Sequence, residues 1–254
     1  MSKHKFVPKM LGIVCNWCCY GGADLCGVSR FQYPPYIKLM RVMCSGRVSM
    51  EHVFRAFSNG ADGVFIGGCH PGDCHYITHG NYDALSMALI CKKVMKHIGI
   101  NPERLRIDWV SAGEGIRFAN IMNEYSRKIE NLGPLGIAEA LDQAALEFKI
   151  EAVTKIIPYI KVVERQRLRI PVRSEEAVID FFNSEEFNRL FDETIAEKLA
   201  ISQIGLLLRE GALTSGEIAK ALDLTPSVVS RYLNISLMHG FVRYEESRKR
   251  FAIS

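Results

Sequence analysis

The chain has 254 residues, 48% of them apolar and 24% charged, with a formal net charge of +4. Such a composition, free of low-complexity tracts, excludes a mainly disordered or fibrous chain and allows one large domain or two smaller ones. No stretch approaches the roughly 18 apolar residues of a spanning helix, and the run Met10 to Cys15 is too short for a signal-peptide core, so a cytoplasmic protein with no membrane part is expected.

In chain order, Lys9–Cys15 is a short apolar run with strand character. Tyr36–Cys44 is a second, entered through the turn-like Tyr33-Pro34-Pro35. Gly60–Cys69 contains a third, Gly63-Val64-Phe65-Ile66, and Leu105–Val110 is a fourth. Between and after them, Ser49–Ser58, Tyr82–His97 and Glu114–Ile129 show helical spacing. Ser49 is a candidate N-cap, and Gly99 and Gly133 are candidate stops. Strands alternating with helices predict an α/β fold with a parallel sheet flanked by helices.

After Gly133-Pro134 the pattern changes. Residues 137–165 and 174–200 are long amphipathic helical stretches, with breaks expected near Pro158 and Pro171. Ala196–Arg209 is a helix stopped by Gly211. Thr214-Ser215-Gly216-Glu217 is a capping box opening a short helix to Leu222. Thr225-Pro226 starts another, Ser227–Met238, and Phe241–Tyr244 with Arg250–Ile253 form a hairpin. This is the order of a winged helix-turn-helix. The expected division is a domain at 1–133, a helical linker region at 134–195 and a winged helix at 196–254.

Charge follows the same division. Residues 1–133 carry 16 Lys+Arg against 10 Asp+Glu, a net of +6; residues 134–254 carry 16 against 18, a net of −2. Cysteine is more lopsided still. All eight, Cys15, Cys18, Cys19, Cys26, Cys44, Cys69, Cys74 and Cys91, lie in the first 91 residues. In a reducing compartment they are not expected to form disulfides. Cys15, Cys44 and Cys69 each close a predicted strand, and parallel strand ends line the edge where open α/β sheets bind ligands. Cys18 and Cys74 sit in loops that reach the same place.

Structural zinc would be served by Cys15-x2-Cys18 and Cys69-x4-Cys74, but leaves Cys44 without a role. A Rieske centre needs histidine ligands at a spacing the sequence lacks, and a Cys15/Cys18 redox dithiol leaves Cys69 and Cys74 unexplained. An iron–sulfur cluster with four thiolates uses the set best. Gly21-Gly22, Gly46, Gly67-Gly68 and Gly72 let backbone N–H groups approach the sulfurs. Arg30, Arg41 and Arg47 are near in sequence and would offset cluster charge. His70, His75 and His79 read as hydrogen-bonding or surface residues rather than ligands, and Arg117 and Glu114 as helix-surface residues. Cys19, Cys26 and Cys91 read as packing residues.

The strings Cys15-Asn16-Trp17-Cys18, Tyr20-Gly21-Gly22-Ala23-Asp24, Gly27-Val28-Ser29-Arg30 and Gln32-Tyr33-Pro34-Pro35 resemble the delta subunit of methyl-viologen-reducing hydrogenase. So do Arg41-Val42-Met43-Cys44-Ser45-Gly46-Arg47-Val48, Gly60-Ala61-Asp62-Gly63-Val64 and Gly68-Cys69-His70-Pro71-Gly72-Asp73-Cys74-His75-Tyr76. The resemblance covers roughly residues 9–132. It implies a 2Fe–2S electron-transfer subunit that relays electrons from a hydrogenase or formate dehydrogenase to the large flavin subunit of heterodisulfide reductase, where electrons are bifurcated, as in methanogenesis. Carried over residue by residue, it implies four ligands among Cys15, Cys18, Cys44, Cys69 and Cys74, with Cys15 the candidate surplus. Arg30, Arg47, His70 and His75 are then candidates to surround them.

The segment Leu213–Leu233 resembles the helix-turn-helix of ArsR-type and MarR-type repressors. Val228, Val229, Leu233 and Leu237 hold core spacing, leaving Ser227, Ser230, Arg231 and Asn234 to face a groove, where Arg231 and Asn234 would read bases. The wing carries Arg248-Lys249-Arg250 beside Glu245-Glu246. Yet residues 201–254 hold 7 Lys+Arg against 5 Asp+Glu, a net of only +2, thin for phosphate neutralisation. A docking or dimerisation module is therefore expected, as part of an electron-transfer subunit without an active site of its own. The competing expectation is an iron–sulfur redox sensor that regulates transcription through the winged helix.

Overall fold

The computed structural model describes residues 6–76, 80–168, 170 and 174–254; Pro171 and His79 lie outside them. The chain divides into two compact units. One runs to Leu146 and adds Leu168–Ser184, and the other comprises Glu147–Arg167 with Glu185–Ser254. Residues 134–195 are thus shared between the two.

The first unit is built on four parallel strands: β1 (Met10–Cys15), β2 (Ile37–Val42), β3 (Gly63–Gly68) and β4 (Leu105–Trp109), in spatial order β2-β1-β3-β4. The chain leaves β1 towards β2 and then crosses back to β3 on the other side. Right-handed crossovers place the intervening helices on opposite faces. Helix α1 (Cys19–Val28) shares one face with α4 (Gly115–Leu132); α2 (Met50–Ser58) and α3 (Asn81–His97) take the other. The central strands are buried nearly throughout, as a doubly covered parallel sheet requires. Met10, Val14 and Phe65 point into a core with Cys19, Cys26, Phe118, Met122 and Tyr125.

Sequence spacing does not foresee α1. Its ten residues, CYGGADLCGV, include three glycines, poor helix formers. Small size is what the site demands. A Cβ on Gly67 would collide with the Cys19 sulfur, and one on Gly22 would sit 2.9 Å from the Ser111 carbonyl. Close packing against β3 and the end of β4 replaces the intrinsic propensity.

The first unit extends past Gly133 because Arg104 ties it there. This fully buried guanidinium donates all five of its N–H groups: Nε and Nη2 to Glu139 (2.6 and 3.1 Å), Nη1 to the Asp62 and Gly133 carbonyls, and Nη2 also to that of Pro134. Asp62 accepts from the Lys9 and Leu135 N–H groups. Helix α6 (Glu175–Asn183) belongs to this unit too, with Glu175 accepting from the Trp109 indole at 2.9 Å.

The second unit holds most of α5 (Gln143–Gln166), which runs through Pro158 without the break expected there. One lost i→i−4 hydrogen bond is carried by an otherwise continuous ladder. The stretch 174–200 is divided, by contrast. After α6 come α7 (Glu185–Phe191), a π-helical turn (Asp192–Ala196) and α8 (Glu197–Glu210). Then follow α9 (Ser215–Leu222), α10 (Pro226–Met238) and the antiparallel pair β5 (Val242–Glu245) and β6 (Arg250–Ile253). Both halves of the Thr214/Glu217 capping box form, and Thr225 caps α10. Ile204, Leu208, Ile218, Val229, Leu233 and Val242 make its core. This is a winged helix. Among the described residues no helix is long and apolar enough to cross a membrane.

Candidate metal centre

In the order β2-β1-β3-β4 the chain reverses direction between β1 and β3, and ligands of open α/β sheets sit outside the carboxyl ends of the strands at such a switch point. Cys15 is the last residue of β1, and Cys69 follows β3 immediately. Their sulfurs are 3.7 Å apart. Cys44, two residues past β2, opens a short 3-10 turn (Ser45–Arg47) at the same edge. Cys18 is the N-cap of α1.

The five thiols form two hydrogen-bonded groups. Cys69 contacts Cys15 and Cys18, and Cys44 contacts Cys74. Charge on any one is felt across both groups, since Cys15 and Cys74 each act on Cys44, and Cys74 acts on Cys18. Among the described residues, no three Cys, His, Asp or Glu side chains converge on one ion-sized point. Protonated thiols pair with one another, and a binuclear cluster, unlike a single ion, takes its thiolates in two separated sets.

The protonation pattern is uneven. The Cys15 thiol is lowered to about 6, first by its hydrogen bond with Cys69 and then, against burial, by the N–H groups of Trp17, Cys18 and Ser45. Cys69 is driven up by the same contact and by burial, so within the pair Cys15 is the thiolate and Cys69 the donor. Burial pushes Cys44 up to about 11 despite the Gly46 N–H, and it raises Cys18. The site is short of cations but not of positive potential. The N-termini of α1, α3 and α4 all open at this sheet edge, with Cys18, Gly80 and Glu114 as N-caps. Four thiolates around two ferric ions and two sulfides leave about −2 charges; the donor set and this field fit such a group.

The loops are held by their flanks. The Trp17 and His75 rings stack at 4.3 Å, joining the Cys18 loop to the Cys74 loop. His70 Nε2 lies 2.6 Å from Glu114, whose carboxylate also accepts from the Ser111 N–H; these two bonds hold it below the usual carboxylate range. Buried Asn81 donates to the carbonyls of Cys69 and His70. Gly80 has φ +122, and a Cβ there would lie 2.5 Å from the Cys74 sulfur and 3.3 Å from that of Cys44.

Not every candidate reaches this edge. Arg30 follows α1, whose ten residues run about 15 Å back along the sheet; it has φ +60 and is exposed. Arg47 is exposed on the turn after Cys44, and Arg41 stacks over Tyr20 at 4.8 Å. Cys19, Cys26 and Cys91 are fully buried within helices. Sequence reasoning overlooked Asn81 and assigned Glu114 to the helix surface. The one signal was Glu114 standing directly before a helix that follows a strand, where an N-cap reaches the ligand edge.

In the winged helix, Ser227, Ser230, Arg231 and Asn234 are exposed on α10. Arg231 bends over the Tyr232 ring and donates to its hydroxyl at 3.2 Å. Arg250 is held by Glu217 at 3.0 Å and by the Ala212 carbonyl, and Arg248 lies 3.7 Å from Glu245. Lys249 is exposed at φ +51.

Residues 201–244 match the family described as bacterial regulatory protein, arsR family. The vhc iron-sulfur subunit of the F420-non-reducing hydrogenase of Methanococcus voltae is 50% identical over 132 residues, 52% of this chain and 91% of that protein. Its counterpart in Archaeoglobus profundus, also an F420-non-reducing hydrogenase iron-sulfur subunit, is 50% identical over 127 residues, 50% of this chain and 92% of the relative. The same region is 50% identical over 129 residues to a subunit of the ferredoxin/F420H2-dependent CoB-CoM heterodisulfide reductase of Methanosarcina acetivorans, covering 16% of that longer protein. Residues 10–133, the sheet with its thiol edge, match the family described as methyl-viologen-reducing hydrogenase, delta subunit. With nine-tenths of half-identical family members covered, this chain belongs to the methyl-viologen-reducing hydrogenase delta subunit family.

Proposed function

We propose that the protein is a cytoplasmic electron-transfer subunit holding a 2Fe–2S cluster between the ends of β1 and β3. It would pass electrons from a hydrogenase or formate dehydrogenase to the flavin subunit of a heterodisulfide reductase, for bifurcation there. The observation that carries this reading is the gathering of five thiols, from three separate stretches of chain, at one switch point under converging helix N-termini. When bound, the cluster would supply a one-electron carrier. The protein's own part is to present thiolates, exclude water and neutralise charge. The relatives' names supply partners of the right kind. One relative carries this region within a heterodisulfide reductase polypeptide, so that the two functions share one chain.

The grouping of the thiols supports one division of the ligands. In it Cys44 and Cys74 would serve one iron and two of Cys15, Cys18 and Cys69 the other, with the surplus thiol in the trio. Anaerobically purified protein is expected to be brown, with about two irons and two acid-labile sulfides per chain and a rhombic EPR signal on reduction. Cys44→Ser and Cys74→Ser should each lose the cluster, as should two of the three serine variants in the trio. A colourless protein with one zinc would sink the proposal.

A second reading, an iron–sulfur redox sensor acting on DNA, draws on the exposed polar face of α10 and the arsR-family match. The wing argues against it. Arg250 is held by Glu217, and Glu245 lies beside Arg248, so acidic neighbours offset part of the wing's charge towards phosphate. A winged helix that docks onto protein or a second copy fits better.

A further inference from the structure

Ser45 follows Cys44 as the first residue of the 3-10 turn after β2, and it is fully buried. Its backbone is satisfied: its N–H points at the Cys15 sulfur, and its carbonyl accepts from the Val48 N–H at 2.9 Å. Its hydroxyl is not. Among the described residues, Ser45 Oγ is the only buried side-chain nitrogen or oxygen atom without a hydrogen-bond partner. Buried hydroxyls without a partner are rare in folded proteins because desolvation is uncompensated. The hydroxyl lies against the end of β3, where a Cβ on Gly68 would be 2.9 Å from Oγ; Cys69 is the next residue. The same Cβ position lies 2.7 Å from the Trp109 ring, so the hydroxyl sits between that ring and the chain segments that carry Cys44 and Cys69, with a proton to donate and no acceptor among the described residues. Its own N–H reaches the Cys15 sulfur and its neighbour in the chain is Cys44, so the thiol edge begins one residue away.

We propose that the Ser45 hydroxyl donates a hydrogen bond to a sulfur of the bound iron–sulfur group, a cysteine thiolate or a sulfide, and so raises its reduction potential. This rests on the proposed function, which it deepens. A donor stabilises the more negative reduced form more than the oxidised form. The hydroxyl thus acts through the sulfur and is a positioning and tuning group rather than a ligand.

The test compares full-length wild type with Ser45→Ala and Ser45→Thr. The potential is measured by EPR-monitored redox titration, and thermal unfolding is followed on the iron-free chains. Ser45→Ala should keep its iron and sulfide but show a potential lowered by about 59 mV, a tenfold shift in a one-electron equilibrium. Ser45→Thr keeps the donor and should stay near the wild-type value. In the iron-free chains Ser45→Ala should melt no lower than wild type, because no protein hydrogen bond is lost. An unchanged potential in Ser45→Ala overturns the proposal. So does cluster loss in both variants, which would make serine's size the requirement, and so does a lower melting temperature for iron-free Ser45→Ala, which would place the acceptor within the protein. Wild type without iron and sulfide would instead overturn the proposed function, and the role of Ser45 with it.

Discussion

Buried polar residues do two different jobs in the first unit, distinguished by whether their partners are complete. Arg104 is fully satisfied, and its ion pair with Glu139 leaves side-chain exposures of 0% and 2%. Burial alone would push the Glu139 carboxyl up, but the Arg104 hydrogen bonds and charge, with the Asn101 and Gly136 N–H groups, outweigh it and hold it low. A carboxyl depressed on folding contributes stability that is present above its unfolded pKa, about 4.3. That contribution is lost as pH falls through the lower folded value. Glu139→Gln, which leaves a buried guanidinium without its counter-charge, should cost about 3 kcal/mol near neutral pH in urea unfolding. The difference from wild type should shrink below about pH 4 as the native carboxylate is protonated. A deficit unchanged by acid would show that the charge is not what matters. Ser45 is the opposite case, a buried hydroxyl with no partner among the described residues. Neither residue is legible in the sequence: Arg104 meets Glu139 across 35 positions, and nothing local marks a hydroxyl that will have no acceptor.

Elements that read clearly in the sequence are those whose own pattern suffices. The four strands are apolar runs that end at or beside Cys15, Cys44, Cys69 and Trp109, and they pair where such runs should. The capped helices α9 and α10 are equally plain, since Thr214, Glu217, Thr225 and Pro226 carry their start signals side by side. Helix α1 escapes because Gly21 and Gly22 answer to the segment after β4, Val110 to Glu114, rather than to helix propensity. Gly80 shows the same dependence on distant partners. Gly80 combines a backbone conformation that L side chains rarely adopt with a Cβ position against two cysteine sulfurs. Gly80→Ala should therefore retain its far-UV CD yet lose most of its iron, because Cys74 and Cys44 can no longer approach each other. Full iron content in that variant would mean that the loop has slack the close approach does not suggest.

At the scale of the whole molecule, the net charges of +6 and −2 on the two halves and the confinement of cysteine to one of them foretold two kinds of object. They did not foretell that residues 134–195 would be divided between two packed units, which depends on Arg104, Asp62 and Trp109 finding partners beyond Gly133. The winged helix is the part whose role the thiol edge does not dictate. If it docks protein, a gel-shift series with genomic fragments should show no sequence-selective retardation at about 150 mM salt, with the centre oxidised or reduced. Retardation that is selective, weakened by salt and altered by redox state would instead favour the sensor.

The thiols come from the ends of three different strands, and this governs when the protein can be completed. The set spans residues 15–74, so it is brought together only once β1, β2 and β3 have paired. In a zinc finger the metal drives folding; here the sheet's core of Ile13, Val14, Phe65 and Ile66 is closed without help from the thiol edge. Insertion of the proposed cluster would then follow the pairing of those strands rather than drive it.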